Sequence, residues 1–339
     1  MNLHLNEDQR MLRDAAQRFL SQRHPVAVAR AANQHDVPSR QALWRDLAGQ
    51  GWPALLAPET HGGLGLGMGE AWIVAEEAGR HLLSLPLVSN MALLPTLCEA
   101  GGAAAQWAGP MMRGDVWFAE AALRPDGSAF IEGAGEGVRA LAVTETGPKT
   151  LRLDLLSPVA GVAGLDPTMP VAVAAKPDVV ASADVEVETG TWNLLRARLR
   201  VLRSAEMLGA ASAALDMAAA YARERQQFGR AIGANQAIKH RLAEDWMALD
   251  DARLAGWAAA AALDGGATSA AGDCLFAPLL AAEASRRATR NAIQVHGALG
   301  VTWECDAHLY LKRVLRLSTN LEAEVPAPDL LERIWETAA

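Results

Sequence analysis

Tyrosine and phenylalanine are scarce: 2 and 5 copies in 339 residues, with all aromatic residues together at 5%. A core so poor in rings is closed by small side chains, and the alanine-rich stretches 210–220 and 258–262 favour close-packed helices. Cysteine is scarce too. Cys98, Cys274 and Cys305 stand far apart, which excludes a disulfide framework, fits a reducing compartment and offers no metal-ligand spacing. Positive charge is short, with 31 Lys and Arg against 39 Asp and Glu, a net of −8. That balance removes the bulk electrostatic reason to hold nucleic acid. Long apolar runs are missing: none reaches the roughly 18 residues needed to cross a bilayer. The best stretches are broken by Asp216, Arg223 and Asp264. Glu7 and Asp8 sit where a secretion signal needs cations and then an apolar stretch. The expectation is a cytoplasmic protein with no membrane span and no nucleic-acid partner.

What is present is an ordinary globular balance, 51% apolar and 21% charged, long enough for a sizeable core. Three textures follow one another. Residues 1–110 read as a helical domain. Leu5, Met11, Leu12, Ala15, Phe19 and Leu20 recur near the helical period behind an Asn6-Glu7-Asp8 cap signal. A second helix is expected over 40–50 with Ser39 as N-cap, then a glycine-rich loop over 62–69. That loop has no GxGxxG spacing and follows a helix, so it does not read as a dinucleotide cradle. Residues 111–190 read as a small, antiparallel β domain. Leu151, Leu153 and Leu155 alternate with Arg152 and Asp154, and weaker strands are expected at 140–143, 171–174 and 185–188. Residues 191–339 return to helix, with long helices expected at 194–223, 235–263, 269–297 and 307–319. Pro278 should delay or kink the third of these. The fold class is mainly α: a helical domain, a small β domain and a C-terminal four-helix bundle.

Two segments could carry chemistry. In 221–229, YARERQQFG, Arg223 and Arg225 crowd a helix end, with Arg230 just beyond; Gln227 and Gln236 add amides and Phe228 a flat ring. Arginine suits bidentate capture of a pyrophosphate, although cations at a helix C-terminus also simply complement its dipole. In 294–306, QVHGALGVTWECD, a helix ends at Gly297 and His296 could donate to a phosphate or carbonyl; a plain C-cap is the alternative.

Together, FGxxIGxxQ (228–236) and QxHGxxGxT (294–302) resemble the acyl-CoA dehydrogenase family, and the phrase GWPALLAPETHGGLGLG (51–67) is similar to that family's loop in the same region. The resemblance covers nearly the whole chain and implies FAD-dependent α,β-dehydrogenation of an acyl-CoA thioester. It implies electron-transfer flavoprotein or a similar acceptor, and a homo- or hetero-oligomer in which FAD sits at a subunit interface. Residue by residue, it assigns FAD contacts to Arg225, Gln227, Phe228, Asn235, Gln236, Gln294, His296 and Gly297. It places Arg200 on the helix lining the active site. The family base, a glutamate ten positions after a tyrosine, falls here on Asn320, counted from Tyr310. The alternative base position, before Arg200, is Leu199. The strand that should hold the flavin ring survives at most as FAEAALRPDGSA, 118–129. Either another carboxylate serves, with Glu304 and Asp306 ahead of Glu322 and Glu324, or this chain is the short subunit of a hetero-oligomeric acyl-CoA dehydrogenase that shapes the FAD interface while its partner supplies the base. Bacterial assemblies of that kind degrade sterols and similar bulky acids. A flavin monooxygenase on the same fold and a flavin-free helical interaction protein are the remaining readings.

Overall fold

The computed structural model describes residues 5–32, 37–162, 164–267 and 270–324. Six helices come first: α1 (Glu7–Arg23), α2 (Val26–Arg30), α3 (Val37–Gly49), α4 (Met68–Arg80), α5 (Leu87–Ala100) and α6 (Gly102–Met112). Six strands follow: β1 (Ala119–Leu123), β2 (Ala129–Glu132), β3 (Ala140–Gly147), β4 (Thr150–Leu156), β5 (Val171–Ala174) and β6 (Val179–Glu186). Then come α7 (Thr191–Glu224), a two-stranded hairpin of β7 (Gln226–Gln227) and β8 (Arg230–Ala231), α8 (Gln236–Gly265), α9 (Ala270–His296) and α10 (Ala307–Glu324). Among the described residues, no helix is long and apolar enough to cross a membrane. The chain divides into two compact units. One takes residues up to 27, 72–83 and those from 200 onward; the other takes 28–71 and 84–199.

Local chemistry explains most boundaries. The cap signal before α1 is a capping box: Gln9 N donates to Asn6 Oδ1 (2.8 Å) and Asn6 N to Gln9 Oε1 (3.1 Å). The start of α3 differs from expectation. Ser39 is not the N-cap but lies inside the helix, behind Pro38, whose ring already holds the helical φ. A start delayed by Pro278 is also corrected, since α9 runs from Ala270 through it. Pro278 and its neighbours Cys274, Ala277 and Ala281 are buried, and that packing outweighs a proline penalty of about 3 kcal/mol.

The six-stranded sheet has the order β5-β2-β1-β3-β4-β6 and is antiparallel except for the parallel β1–β3 pair. The leucine alternation on β4 is real: Leu151, Leu153 and Leu155 are buried while Arg152 is exposed and pairs across to Asp184 on β6 (3.1 Å). The last expected strand, 185–188, is instead β6 at 179–186; as an edge strand it buries little, so its sequence carries no alternation. One row across the sheet runs Val171, Glu132, Glu120, Leu141, Leu155, setting two glutamates side by side.

In the first unit, helices α4 and α7 meet backbone to backbone. A Cβ built on Gly79 would overlap the carbonyl of Glu206, and one on Gly209 would overlap the carbonyl of Glu76. Trp72 and Arg253 flank this contact: Trp72 donates to Glu76 Oε2 (3.2 Å), and Arg253 reaches Glu76 Oε1 (2.9 Å) and Ser212 Oγ (3.0 Å).

The end of α4 is a Schellman turn. Leu83 N donates to Ala78 O (2.9 Å) and Leu82 N to Gly79 O (3.1 Å). The left-handed position, usually glycine, is Leu82 at φ +51°, and its side chain is fully buried. Helix α10 holds this turn from outside. Tyr310 Oη donates to Arg80 O (3.2 Å), and Arg313 Nη2 to Leu82 O (3.2 Å) and Leu83 O (3.1 Å). Arg313 is itself fully buried and gives Nη1 to Glu206 Oε1 (2.8 Å), with Arg316 at 3.8 Å from the same oxygen.

Glu77, also on α4, is 6% exposed, and its Oε2 makes no hydrogen bond. Burial pushes its carboxyl up to about 7, with Arg80 and Arg13 pulling down and Glu76 and Asp14 pushing up. A carboxyl whose folded value lies above its unfolded one binds more protons when folded, so stability falls as pH rises from about 4.5 to about 7. Glu77→Gln is therefore expected to be more stable than wild type at pH 8 and to flatten the decline between pH 5 and 8, as read by thermal melts. An unchanged pH dependence would contradict it.

Candidate functional site

The structure brings the two chemistry-bearing segments together in the first unit. The Tyr221 and His296 rings stack at 4.6 Å and 26°, and Tyr221 is the residue that opens YARERQQFG. Sequence reading named His296 but missed Tyr221. His296 is 7% exposed and spends Nδ1 on Ala292 O (2.7 Å), which leaves Nε2 for another partner. Gly297 follows at φ +63° with open space where a Cβ would stand.

The β7–β8 hairpin is built from the segment's own residues. Gln226 pairs with Ala231 and Gln227 with Arg230, and Ile232 N donates to Arg225 O (2.9 Å). A two-residue turn of this kind needs positive φ at both central positions. Gly229 meets this easily at +77°, whereas Phe228 is held at +51°. The Phe228 ring is fully exposed. Arg230 Nη2 donates to Asn235 Oδ1 (2.6 Å), and Asn235 Nδ2 to Ile232 O (3.0 Å), so Asn235 fixes the hairpin to the start of α8. Arg225, Gln227 and Gln236 are exposed, as is Gln294 on the last turn of α9.

The catalytic candidates lie elsewhere in the same unit. Arg200 is half-buried on α7, close enough to Cys274 for its charge to act on that thiol, which burial pushes up to about 12. Glu304 is exposed in the turn before α10, and Asn320 is half-buried on α10. Asp306 is half-buried and gives its carbonyl to Leu309 N (2.9 Å). The side chains of Glu322 and Glu324 lie outside the described residues.

The second unit holds a cavity of about 80 Å³ that the sequence did not reveal. Its wall comes from α5 (Ser89, Asn90, Leu93), the start of the sheet (Phe118 to Ala121, with Leu141 and Val143) and α7. The α7 contribution is Trp192, Leu195 and Leu199, spaced i, i+3 and i+7. That apolar stripe in an arginine-rich stretch was the available signal. The eroded motif over 118–129 folds as the β1–β2 hairpin, its turn closed by Ser128 N and Oγ donating to Asp126 Oδ1 (2.9 and 2.7 Å). Asn90 ties α5 to this hairpin: Nδ2 donates to Phe118 O (2.8 Å) and Pro86 O (2.8 Å), while Oδ1 accepts from Phe118 N (3.0 Å).

Family models match residues 6–115 as acyl-CoA dehydrogenase, N-terminal domain, and 192–319 as acyl-CoA dehydrogenase, C-terminal domain. The chain is similar to acyl-CoA dehydrogenase IpdE2 of Mycobacterium tuberculosis, 31% identical over 333 residues and covering 98% of each. Among solved structures it is similar in fold to the ChsE4–ChsE5 complex from Mycobacterium tuberculosis (TM-score 0.78, 24% identity, 99% of this chain and 98% of that one). It is also similar to PigA with FAD and proline (TM-score 0.81, 19% identity, 97% and 99%). Matched over both its helical ends and aligned along its whole length with a dehydrogenase relative, the chain belongs to the acyl-CoA dehydrogenase family.

Proposed function

We propose that this chain serves FAD-dependent α,β-dehydrogenation of an acyl-CoA thioester as part of a hetero-oligomer whose second subunit supplies the catalytic base. The observation that carries this reading is Leu199. It occupies one of the two base positions of the family, lines the cavity, and presents hydrocarbon there. The other base position, Asn320, bears an amide that cannot take a proton. The FAD-side segments, by contrast, are intact and assembled. On this reading 1–110, 111–190 and 191–339 are the three family domains, and ChsE4–ChsE5 is a precedent for a paired assembly on this fold.

The donor chemistry suits FAD on its adenosine-diphosphate side. Arg225 offers a guanidinium fork, and Gln227, Gln236 and Gln294 offer exposed amides. Phe228 offers an open ring, held by the hairpin that Asn235 fixes, and His296, with Nδ1 donating to Ala292 O, offers Nε2 as an acceptor for a ribose or adenine donor. Gly297 leaves room for close approach. On the ring side, β1 lies between β2 and β3, so Ala121 and Ala122 spend their main-chain groups in the sheet and offer no hydroxyl. FAD when bound supplies the hydride acceptor. The apolar cavity wall takes the acyl part out of water, which strengthens every polar interaction at the reacting carbons.

The test is flavin absorbance and reduction of a ferrocenium-type acceptor with a panel of acyl-CoAs, for the chain alone and co-expressed with a second acyl-CoA dehydrogenase subunit. Colour and turnover are expected only in the pair. Full turnover by the chain alone, abolished by Glu304→Gln, would instead make Glu304 the base. Arg225→Ala is expected to weaken FAD binding about 10–100-fold, the loss of one charge-assisted bidentate contact. Flavin titration of the apo-assembly reads this out, and unaltered affinity would remove Arg225 from the site.

A further inference from the structure

Helix α8 buries one face. On it, Asp245 accepts from Arg287 Nε (2.9 Å) and Asn291 Nδ2 (2.8 Å) of α9, and Arg253 reaches Glu76 and Ser212. The opposite face is open. At about 3.6 residues per turn, Gln236, Ala243, Met247 and Leu254 fall within about 20° of one line along it. All four are exposed. Trp246 flanks the line at 60% exposure, and Met247 stands at 57%. A tryptophan, a methionine and a leucine gathered on one face mark an interaction surface, where singly scattered ones would not.

Charge says what this surface fits. Lys239 and His240 precede the apolar patch, and Asp250 and Asp251 follow it. Lys239, His240 and Asp251 are exposed, and among the described residues none of the three has an ion-pair partner. Asp250 is half-buried, 3.4 Å from Arg253 Nη1 of its own helix. The order is symmetric about Asp245. Lys239 and His240 lie as far before it as Asp251 and Asp250 lie after it. Ala243 is likewise matched by Met247, and Gln236 by Leu254. A second α8 laid antiparallel on the first, with a two-fold axis at Asp245, sets each cationic pair on the other copy's carboxylates. It also sets small Ala243 against large Met247 and brings the two Trp246 rings together near the axis. A two-fold interface requires this self-complementarity, because one patch must fit itself. An unrelated partner requires none of it.

We propose that the open face of α8 is where two copies of this chain meet, antiparallel, about a two-fold axis at Asp245. The hetero-oligomer then contains the chain twice. The inference does not rest on the acyl-thioester reading, and its experiment counts copies instead of turnover.

Analytical ultracentrifugation of the full chain, alone and co-expressed with a second acyl-CoA dehydrogenase subunit, supplies the count. Two copies are expected in both samples. Met247→Glu puts a charge at the centre of the patch and should weaken pairing about 30-fold or more, the loss of a central anchor. Met247 is exposed, so the fold should survive, which circular dichroism checks. Lys239→Glu and Asp251→Lys should each weaken pairing about tenfold through like-charge contacts. The double variant restores opposite charges and should pair nearly as wild type does. Ala243→Cys with Met247→Cys should cross-link two copies under mild oxidation, the native Cys98, Cys274 and Cys305 being buried. A single copy in wild type, or unchanged pairing with Met247→Glu, would overturn the proposal. So would a double charge variant as weak as the single ones, or loss of the second subunit in place of the second copy.

Discussion

Arg313→Met is expected to cost the fold about 3–5 kcal/mol, the usual loss when one partner of a buried ion pair is removed. Arg313 is fully buried, and its partner Glu206 is 6% exposed. Methionine replaces the aliphatic stem but not the guanidinium, so the loss comes from the space it leaves and from the hydrogen bonds it severs, three of them to Leu82, Leu83 and Glu206. Two of these satisfy Leu82 O and Leu83 O at the Schellman turn, and the third satisfies Glu206. Leu82 compounds the loss: a left-handed non-glycine residue costs about 1–2 kcal/mol and persists only when its surroundings hold it. Arg316 remains 3.8 Å from Glu206 and recovers part of the pairing, which favours the lower half of the range. Denaturant melts of Arg313→Met, Glu206→Met and the double variant would check this. The double variant should be less destabilised than the sum, because it removes the Arg313–Glu206 pair together, although Arg316 then loses its contact with Glu206. Strict additivity would mean that the three groups do not act as one cluster.

Gly209→Ala is expected to destabilise by about 1–3 kcal/mol or more, although alanine is the better helix former by about 0.5–1 kcal/mol. The clash wins because the added methyl meets the carbonyl of Glu76, which belongs to a helix backbone and cannot swing aside. The reciprocal Gly79→Ala meets Glu206 in the same way. Gly265, near the end of α8, has nothing within 4 Å of its would-be Cβ. Gly265→Ala should therefore be neutral or stabilising, and thermal melts of the three variants separate packing from propensity. Equal effects at all three positions would show that α4 and α7 can part without loss.

Some of this was legible in the sequence because the signal was local. The β4 alternation, the Asn6 cap and the helices behind FGxxIGxxQ and QxHGxxGxT are each written within one short window. Strand β1 was legible only through the family resemblance at 118–129: AEAAL itself has helix-forming composition, and pairing with β2 and β3 makes it a strand. The cavity was hidden for a different reason, since its wall draws on residues near 90, 120, 141 and 195 that no window contains. The turn at Leu82 was hidden because leucine does not announce a left-handed residue; the arginine that enforces it lies 231 positions away.

That separation governs the order in which the protein can be made. The first unit needs 72–83 together with α7 to α10, and the whole of 84–199 leaves the ribosome between them. Helices α1 and α4 thus emerge long before the groups that close their contacts. The Leu82 turn must wait, unsupported, until Arg313 is synthesised. Such high contact order makes completion of this unit late and slow. Until then, Trp72, Val74 and Ala75 of α4, fully buried in the folded protein, lack the partners that cover them.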